Sequence, residues 1–529
     1  MHIAATSCTS RKSSTFSSHT FIRMTLVAFG LVAVFLALTP SLLAQKKVKS
    51  NAAQVGVWQV LTNQLPLNPV HAAVMNNGKV LMIDASISYN PLAAVWDPAT
   101  QTATTFPVPY TAFCNGMVVL PDGRPLVIGG TLHFGVPWTG VNQATTYDPK
   151  AGVFTQQPNM AWGRWYPTGT VLSDGTVFVF SGQTESDTTN NYVEIFTPDH
   201  GTTPASWSWP VEASWIPPLY PRMHLLPDGR LFYAGMSSTA YFYDLTAETW
   251  TKCCTTNFGL QRTQGTSVML PLRPGNNYHP RIVIMGGSSA EDTTPATNTT
   301  ETIDPWVKSP KWAWGPNMSQ PRIHPNATIL PTGDVLVSGG EQWSENTTTA
   351  SLNADLYHGN GSDALYNTIT SAGVTSVPRA YHSNAILLPD ATVITTGSNP
   401  PNVAYETRVE LYQPPYLFTS TGALAKRPTI TGVPTSSIGY NAAFNVTTPN
   451  ASNIQKVVLI RPGAPTHAFD MEQRLVGLNF TIGNGSLTVT SPPNADIAPP
   501  GYYMLFILNK AGVPSVAQFV QLCPTTGCL

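Results

Sequence analysis

Seven side chains with ligand or redox chemistry stand at comparable places along this chain: His71, Cys114, Tyr166, His224, His324 and the adjacent pair Tyr381 and His382. Most stand close to the start of a short apolar run. Neighbouring side chains in a strand point to opposite faces. Tyr381 and His382 can therefore share one ligand only at a strand end or in a loop, and both lie just ahead of such a run. Two imidazoles with phenolate oxygens in a tetragonal arrangement suit Cu(II) better than zinc or a hard, oxygen-seeking cation. The same residues also read as hydrogen-bonded positions of a repeat, and a Tyr-His pair alone does not decide between the two.

The elements that must position them form a repeat. The stretch PRAYHSNAILLPDATVITTG from Pro378 is a hairpin, with apolar runs Ala385–Leu388 and Val393–Thr396 around a turn at Pro389-Asp390. Comparable stretches start at Val70, Phe113, Arg164, Pro221, Gln264 and Pro321, and most end in Gly or Gly-Gly. Most are followed by a second strand pair with an aromatic-Asp tag, such as VWDP at Val95 and TYDP at Thr146. Copies spaced roughly 45 to 58 residues apart match the kelch period, one four-stranded blade per repeat. One blade cannot bury both faces, whereas a closed ring can. The expectation is all-β: a seven-bladed kelch propeller from about Val55 to Phe418, with blade fronts converging on a central channel.

After LYQPPYLF the texture changes. Residues 420–426 read as a polar linker, and residues 427–529 as short alternating strands joined by Pro, Gly and Asn turns. That pattern predicts a small immunoglobulin-like sandwich, with an eighth, irregular blade as the alternative.

Composition narrows the function. Only 10% of residues are charged and the net charge is −1, which leaves no basic footprint for nucleic acid. Residues 1–44 read as a secretory leader, with Arg11, Lys12 and Arg23 ahead of the apolar run Leu26–Leu38 and a cut near Ala44. Met24 is an alternative start. A retained membrane anchor is the competing reading, but the run is short for a span, and no later segment is long enough to cross a bilayer. Of six cysteines, Cys523 and Cys528 can close a short loop in an oxidising compartment. The adjacent Cys253 and Cys254 give no clear pairing, and Cys114 has no evident disulfide partner.

Several motifs together resemble the copper radical oxidases, glyoxal oxidase more than galactose oxidase. They are FCNG at Phe113, GRWYPT at Gly163, RAYHS at Arg379, VELYQPPYLF at Val409 and THAFDMEQR at Thr466, with APPGYYMLFILN at Ala498 similar to the family's C-terminal domain. The resemblance runs in order over nearly all of the chain after the leader. It implies a thioether between Cys114 and Tyr166, giving a redox-active tyrosine. It also implies equatorial copper ligands from Tyr166, His382 and His467, and an axial Tyr381 that accepts the substrate proton. His467 would arrive on a loop of the C-terminal domain that enters the propeller axis. The implied reaction oxidises a small aldehyde or primary alcohol with O2 to give hydrogen peroxide, in a secreted, monomeric chain that binds no nucleic acid and stays out of the membrane once the leader is cut. The chain departs from galactose oxidase in two ways. Thr184–Asn191 holds no tryptophan to stack on the thioether, and the N-terminal carbohydrate-binding domain is missing. Trp165 is the nearest indole to Tyr166 in sequence, and sequence leaves open whether it stacks or merely packs. The rival reading is a catalytically silent kelch propeller serving as a binding, adhesion or cell-wall module.

Overall fold

The computed structural model describes residues 51–84, 91–290, 293–359, 367–400 and 405–524. The leader, Cys8 and Cys528 lie outside these. Among the described residues no helix is long and apolar enough to cross a membrane.

Each repeat forms one antiparallel sheet, its first strand innermost. The repeat at Pro378 supplies Ser383–Leu387, Val393–Gly397 and Glu410–Gln413, and its fourth strand comes from the other end of the chain, Val57–Val60. Six further sheets of four or more strands complete the set, built from the repeats between Pro69 and Val374. Their inner strands are buried throughout, as in Gly116–Val119 and Thr168–Val171. This explains the continuous apolar runs in the sequence, where a one-sided sheet would alternate.

The Gly-Gly endings have a steric cause. Gly129, Gly286, Gly339 and Gly397 all have left-handed φ, between 66° and 71°. A Cβ there would lie 2.1, 2.5 and 2.8 Å from the carbonyl oxygens of Arg164, Arg322 and Arg379, and 2.3 Å from that of Pro69. The next repeat's leading loop crosses at this point, so only glycine fits. The second glycine then bonds that loop: Gly130, Gly287 and Gly340 donate to the carbonyls of Arg164, Arg322 and Arg379 at 3.0, 2.7 and 2.6 Å.

Those arginines are themselves buried clamps. Arg164 donates to the Ser181 and Tyr192 carbonyls at 2.7 and 2.9 Å and to Glu194 at 2.8 Å. Arg262 pairs with Glu301 at 2.8 Å, and Arg322 with Asp355 at 3.3 Å, each acid lying on the third strand of its sheet.

Besides a two-stranded ribbon (Pro465–Thr466 and Phe469–Asp470), the C-terminal part forms two larger sheets, one of three strands (Ala443–Thr447, Ser486–Thr490, Phe480–Ile482) and one of four around Ile454–Arg461 and Gly501–Asn509. Two packed sheets rule out an eighth blade. This layer shares apolar cores with the propeller: Leu459, Val476 and Leu505 lie in one cluster with Phe232, Ile284 and Ile303. Cys523 is disulfide-bonded, whereas Cys114, Cys253 and Cys254 are free thiols.

The clamps predict a non-additive stability pattern. Arg164→Met should destabilise by about 3–5 kcal/mol, because it strands the Glu194 charge in the interior. Adding Glu194→Leu should recover most of that loss. Denaturant melts of the two variants check this, and a double variant no better than the single would show that the carbonyl contacts dominate.

Candidate functional site: a buried cluster on the propeller axis

The site is built from leading loops. Cys114, Tyr166, Tyr220, Gln264, His324 and His382 stand at comparable places in successive repeats, and all have left-handed φ between 47° and 66°. Such backbone is uncommon for residues with a Cβ and costs energy that the surroundings must offset. Neighbouring loops help do so: Tyr166 N–H donates to the Cys114 carbonyl at 3.0 Å, Tyr220 N–H to that of Tyr166 at 2.9 Å and His324 N–H to that of Gln264 at 2.8 Å.

The C-terminal layer completes the cluster through residues 463–474. Thr466 Oγ1 bonds the Val70 carbonyl at 3.1 Å, and Arg222 holds the His467 carbonyl at 2.8 Å. Gln473 spans to Ala327 and Ile329 at 2.7 and 2.9 Å. The buried Asp470 carboxylate ties the loop to itself, accepting from the amides of Ala464, Glu472 and Gln473. His467 is only 1% exposed at the end of this insertion, so its position is fixed by both parts of the chain.

Here the side chains meet. Cys114 Sγ lies 3.8 Å from Nε2 of both His382 and His467. The hydroxyls of Tyr166 and Tyr381 are in direct hydrogen-bonding contact. The ring of Tyr381 stacks on His382 with centroids 3.7 Å apart, and His467 packs 4.5 Å from both Tyr166 and His382.

The imidazoles are oriented by their other nitrogens. His382 Nδ1 is bonded to Asn399 Oδ1. His467 Nδ1 bonds Thr466 Oγ1 at 2.6 Å. With the Thr466 hydroxyl proton directed at the Val70 carbonyl, its oxygen accepts from Nδ1–H, which leaves the Nε2 lone pair bare. Burial keeps both rings neutral, His382 pushed down to about 3 and His467 well below the ordinary histidine value. Neutral imidazoles held at Nδ1 are what a metal needs of histidine. The phenols behave oppositely: burial first, then the neighbouring Cys114 and Tyr381, hold Tyr166 well above the usual phenol range. Its phenolate is stable only beside a cation. Two bare nitrogens and two touching phenol oxygens make an N2O2 donor set that fits Cu(II).

Sequence reasoning left Trp165 undecided and passed over Tyr220, Asn399 and Thr466. Trp165 lies flat on Tyr166, with centroids 3.9 Å apart and planes at 15°, and stacks in turn on Trp138. Tyr220 also stacks on Tyr166, at 4.5 Å, and bonds the Asn115 carbonyl at 2.7 Å. Its place just ahead of the repeat at Pro221 was the signal available. The remaining leading-edge histidines stay outside the donor set. His224 bonds Ser267 at 2.8 Å and His324 bonds Glu341 at 2.8 Å. His71, fully buried, lies 5.8 Å from the His467 ring. A cleft of about 440 Å³ opens over Trp165, Tyr166, Tyr220, Gln264 and Tyr381.

Residues 85–416 match the family model described as Glyoxal oxidase N-terminus, and residues 427–522 match Galactose oxidase-like, Early set domain. An aldehyde oxidase GLOX of Vitis pseudoreticulata is 30% identical, with 89% of this chain and 97% of that protein covered. A galactose oxidase of Gibberella zeae is 27% identical over 87% of this chain and 70% of its own length. Among solved structures, a fungal alcohol oxidase of the AA5 family in complex with copper superposes with a TM-score of 0.77 at 25% identity, over 88% of this chain and 99% of that one. The chain belongs to the glyoxal oxidase family of copper radical oxidases, and it is an oxidoreductase that uses O2.

Proposed function

We propose that this chain is a secreted oxidase that converts a small aldehyde, as its hydrate, or a simple primary alcohol to the oxidised product, passing two electrons to O2 and releasing hydrogen peroxide. The observation that carries this reading is the meeting of His382 Nε2 and His467 Nε2 at Cys114 Sγ, with the Tyr166 and Tyr381 hydroxyls in contact in the same buried cluster. In this assignment Tyr166, Tyr381, His382 and His467 would hold the copper. Copper bound there supplies one of the two one-electron couples and polarises the substrate hydroxyl.

The chain's own groups do the rest. Tyr381 Oη takes the substrate's hydroxyl proton. Tyr166, joined through a ring carbon to Cys114 Sγ, is the second redox centre, because a thioether-substituted phenol loses an electron more easily than a plain one. Trp165 covers the Tyr166 ring and keeps water from it. The cleft of about 440 Å³ suits a small organic substrate. Supporting the proposed partition into residues 45–419, a linker at 420–426 and residues 427–529, the two family matches end and begin at 416 and 427. A monomer is proposed, with no nucleic-acid partner.

Peroxide release across a panel of aldehydes and alcohols, with and without copper, tests the reading. Glyoxal-type aldehydes should outpace galactose. Tyr381→Phe should lower turnover about a hundredfold to ten-thousandfold while retaining copper. Copper-loaded protein that makes no peroxide on any substrate would overturn the assignment.

Two further outcomes follow from the site. A digest of protein treated with copper and O2, which accepts the two electrons and two protons lost, should yield the Cys114 and Tyr166 peptides joined, two hydrogens lighter and resistant to thiol reduction. An alkylatable Cys114 in active protein would remove the thioether. Asn399→Ala and Thr466→Val should each weaken copper binding roughly 10- to 100-fold, measured by chelator competition. Unchanged affinity would mean that packing alone orients the rings.

A further inference from the structure

Cys253 and Cys254 lie on the outer strand of the fourth sheet, Thr249–Thr255, away from the axial cluster. Regular strand geometry would send their side chains to opposite faces. The register is broken here: Thr239 pairs with Thr255 and Tyr241 with Lys252, so Ala240 alone faces both cysteines. This is a β-bulge, two residues against one. Burial agrees, since Thr251, Lys252 and Thr255 are exposed while both cysteines are half-buried and pack against the same apolar cluster, which includes Ala240 and Trp312. The adjacent thiols interact with each other, and that interaction holds Cys254 below the ordinary thiol value while raising Cys253. One sulfur is thus the better nucleophile and its neighbour a ready proton donor.

We infer that Cys253 and Cys254 form a reversible dithiol–disulfide site whose oxidant is hydrogen peroxide, the product of the oxidase reaction proposed above. The sulfur of Cys254 attacks the O–O bond, giving a sulfenic acid and one water. The sulfur of Cys253 then displaces the second water and closes an S–S bond. Two electrons leave the dithiol, peroxide is reduced to two waters, and both thiol protons end in those waters. Adjacent Cα atoms are about 3.8 Å apart across a trans peptide, closer than the ~4.4 Å lower limit usual for disulfides. The ring is therefore strained and readily reduced, as befits a switch more than a staple.

The identity of the oxidant rests on the oxidase reading, so the test has two arms. In the first, reduced full-length protein is treated with added hydrogen peroxide, alkylated and digested. The peptide carrying both cysteines should lose two hydrogens, refuse alkylation and regain both thiols with dithiothreitol. In Cys253→Ser, the lone Cys254 should instead advance to the sulfinic or sulfonic acid. Two alkylatable thiols after peroxide, irreversible acids with both cysteines present, or a disulfide between chains would each overturn the inference. In the second arm, aldehyde and O2 replace added peroxide, with catalase as control. The same mass loss, abolished by catalase, supports self-supply of the oxidant. Success in the first arm with failure in the second would strike the oxidase reading and leave the dithiol site standing.

Discussion

Guanidinium groups locked in the interior carry this architecture. Arg164, Arg222, Arg262, Arg322 and Arg379 have almost no exposed surface. Each stands in a leading loop and spends its fork of donors on backbone carbonyls, and Arg164, Arg262 and Arg322 each also reach a buried carboxylate. Arg379, for example, reaches the carbonyls of Gly397, Thr395 and Arg408 at 2.8, 2.9 and 2.6 Å. A desolvated cation is tolerated only when so many acceptors surround it. Lysine, a single point charge, could not bridge the same points. Because Tyr166 follows Arg164 by two residues, and Tyr381 and His382 follow Arg379 by two and three, the clamps that hold the sheets together also aim the reactive side chains.

The left-handed backbone depends on that rigidity. Six leading loops hold a non-glycine residue at positive φ, and His467 and Ala468 repeat the feature on the inserted loop at 45° and 64°. Each such residue costs on the order of 1–3 kcal/mol. A surface loop would relax, whereas loops pinned by buried arginines and by one another's amides cannot. Conformational cost is thereby converted into fixed geometry around the axis.

Much of this was legible from residue order. The repeat spacing and turn residues gave the sheets, and aligning copies on their turns put Cys114, Tyr166, Tyr381 and His382 at leading edges. His467 was not legible from pattern: its neighbours in space are its neighbours only because a loop from the second sheet system threads inward, and resemblance alone pointed to it. Asn399 and Thr466 were invisible for a different reason. A side chain that orients an imidazole needs only one oxygen in the right place, and Asn and Thr are common in a chain of this composition. Trp165 was undecidable because stacking on the next residue's ring requires the left-handed φ of 66° at Tyr166, which no sequence rule forecasts.

The strand Val57–Val60 completes the sheet of Ser383–Leu387 by pairing with Glu410–Gln413. The earliest described strand to leave the ribosome must therefore wait for a partner more than three hundred residues later. At ordinary elongation rates that delay is roughly tens of seconds. His467 follows later still. A half-made chain holds no closed ring and neither His382 nor His467, so the donor set cannot exist before synthesis is nearly finished. Temporal order along the polypeptide thus acts as a safeguard, keeping a peroxide-generating centre from assembling on a chain that is still being made.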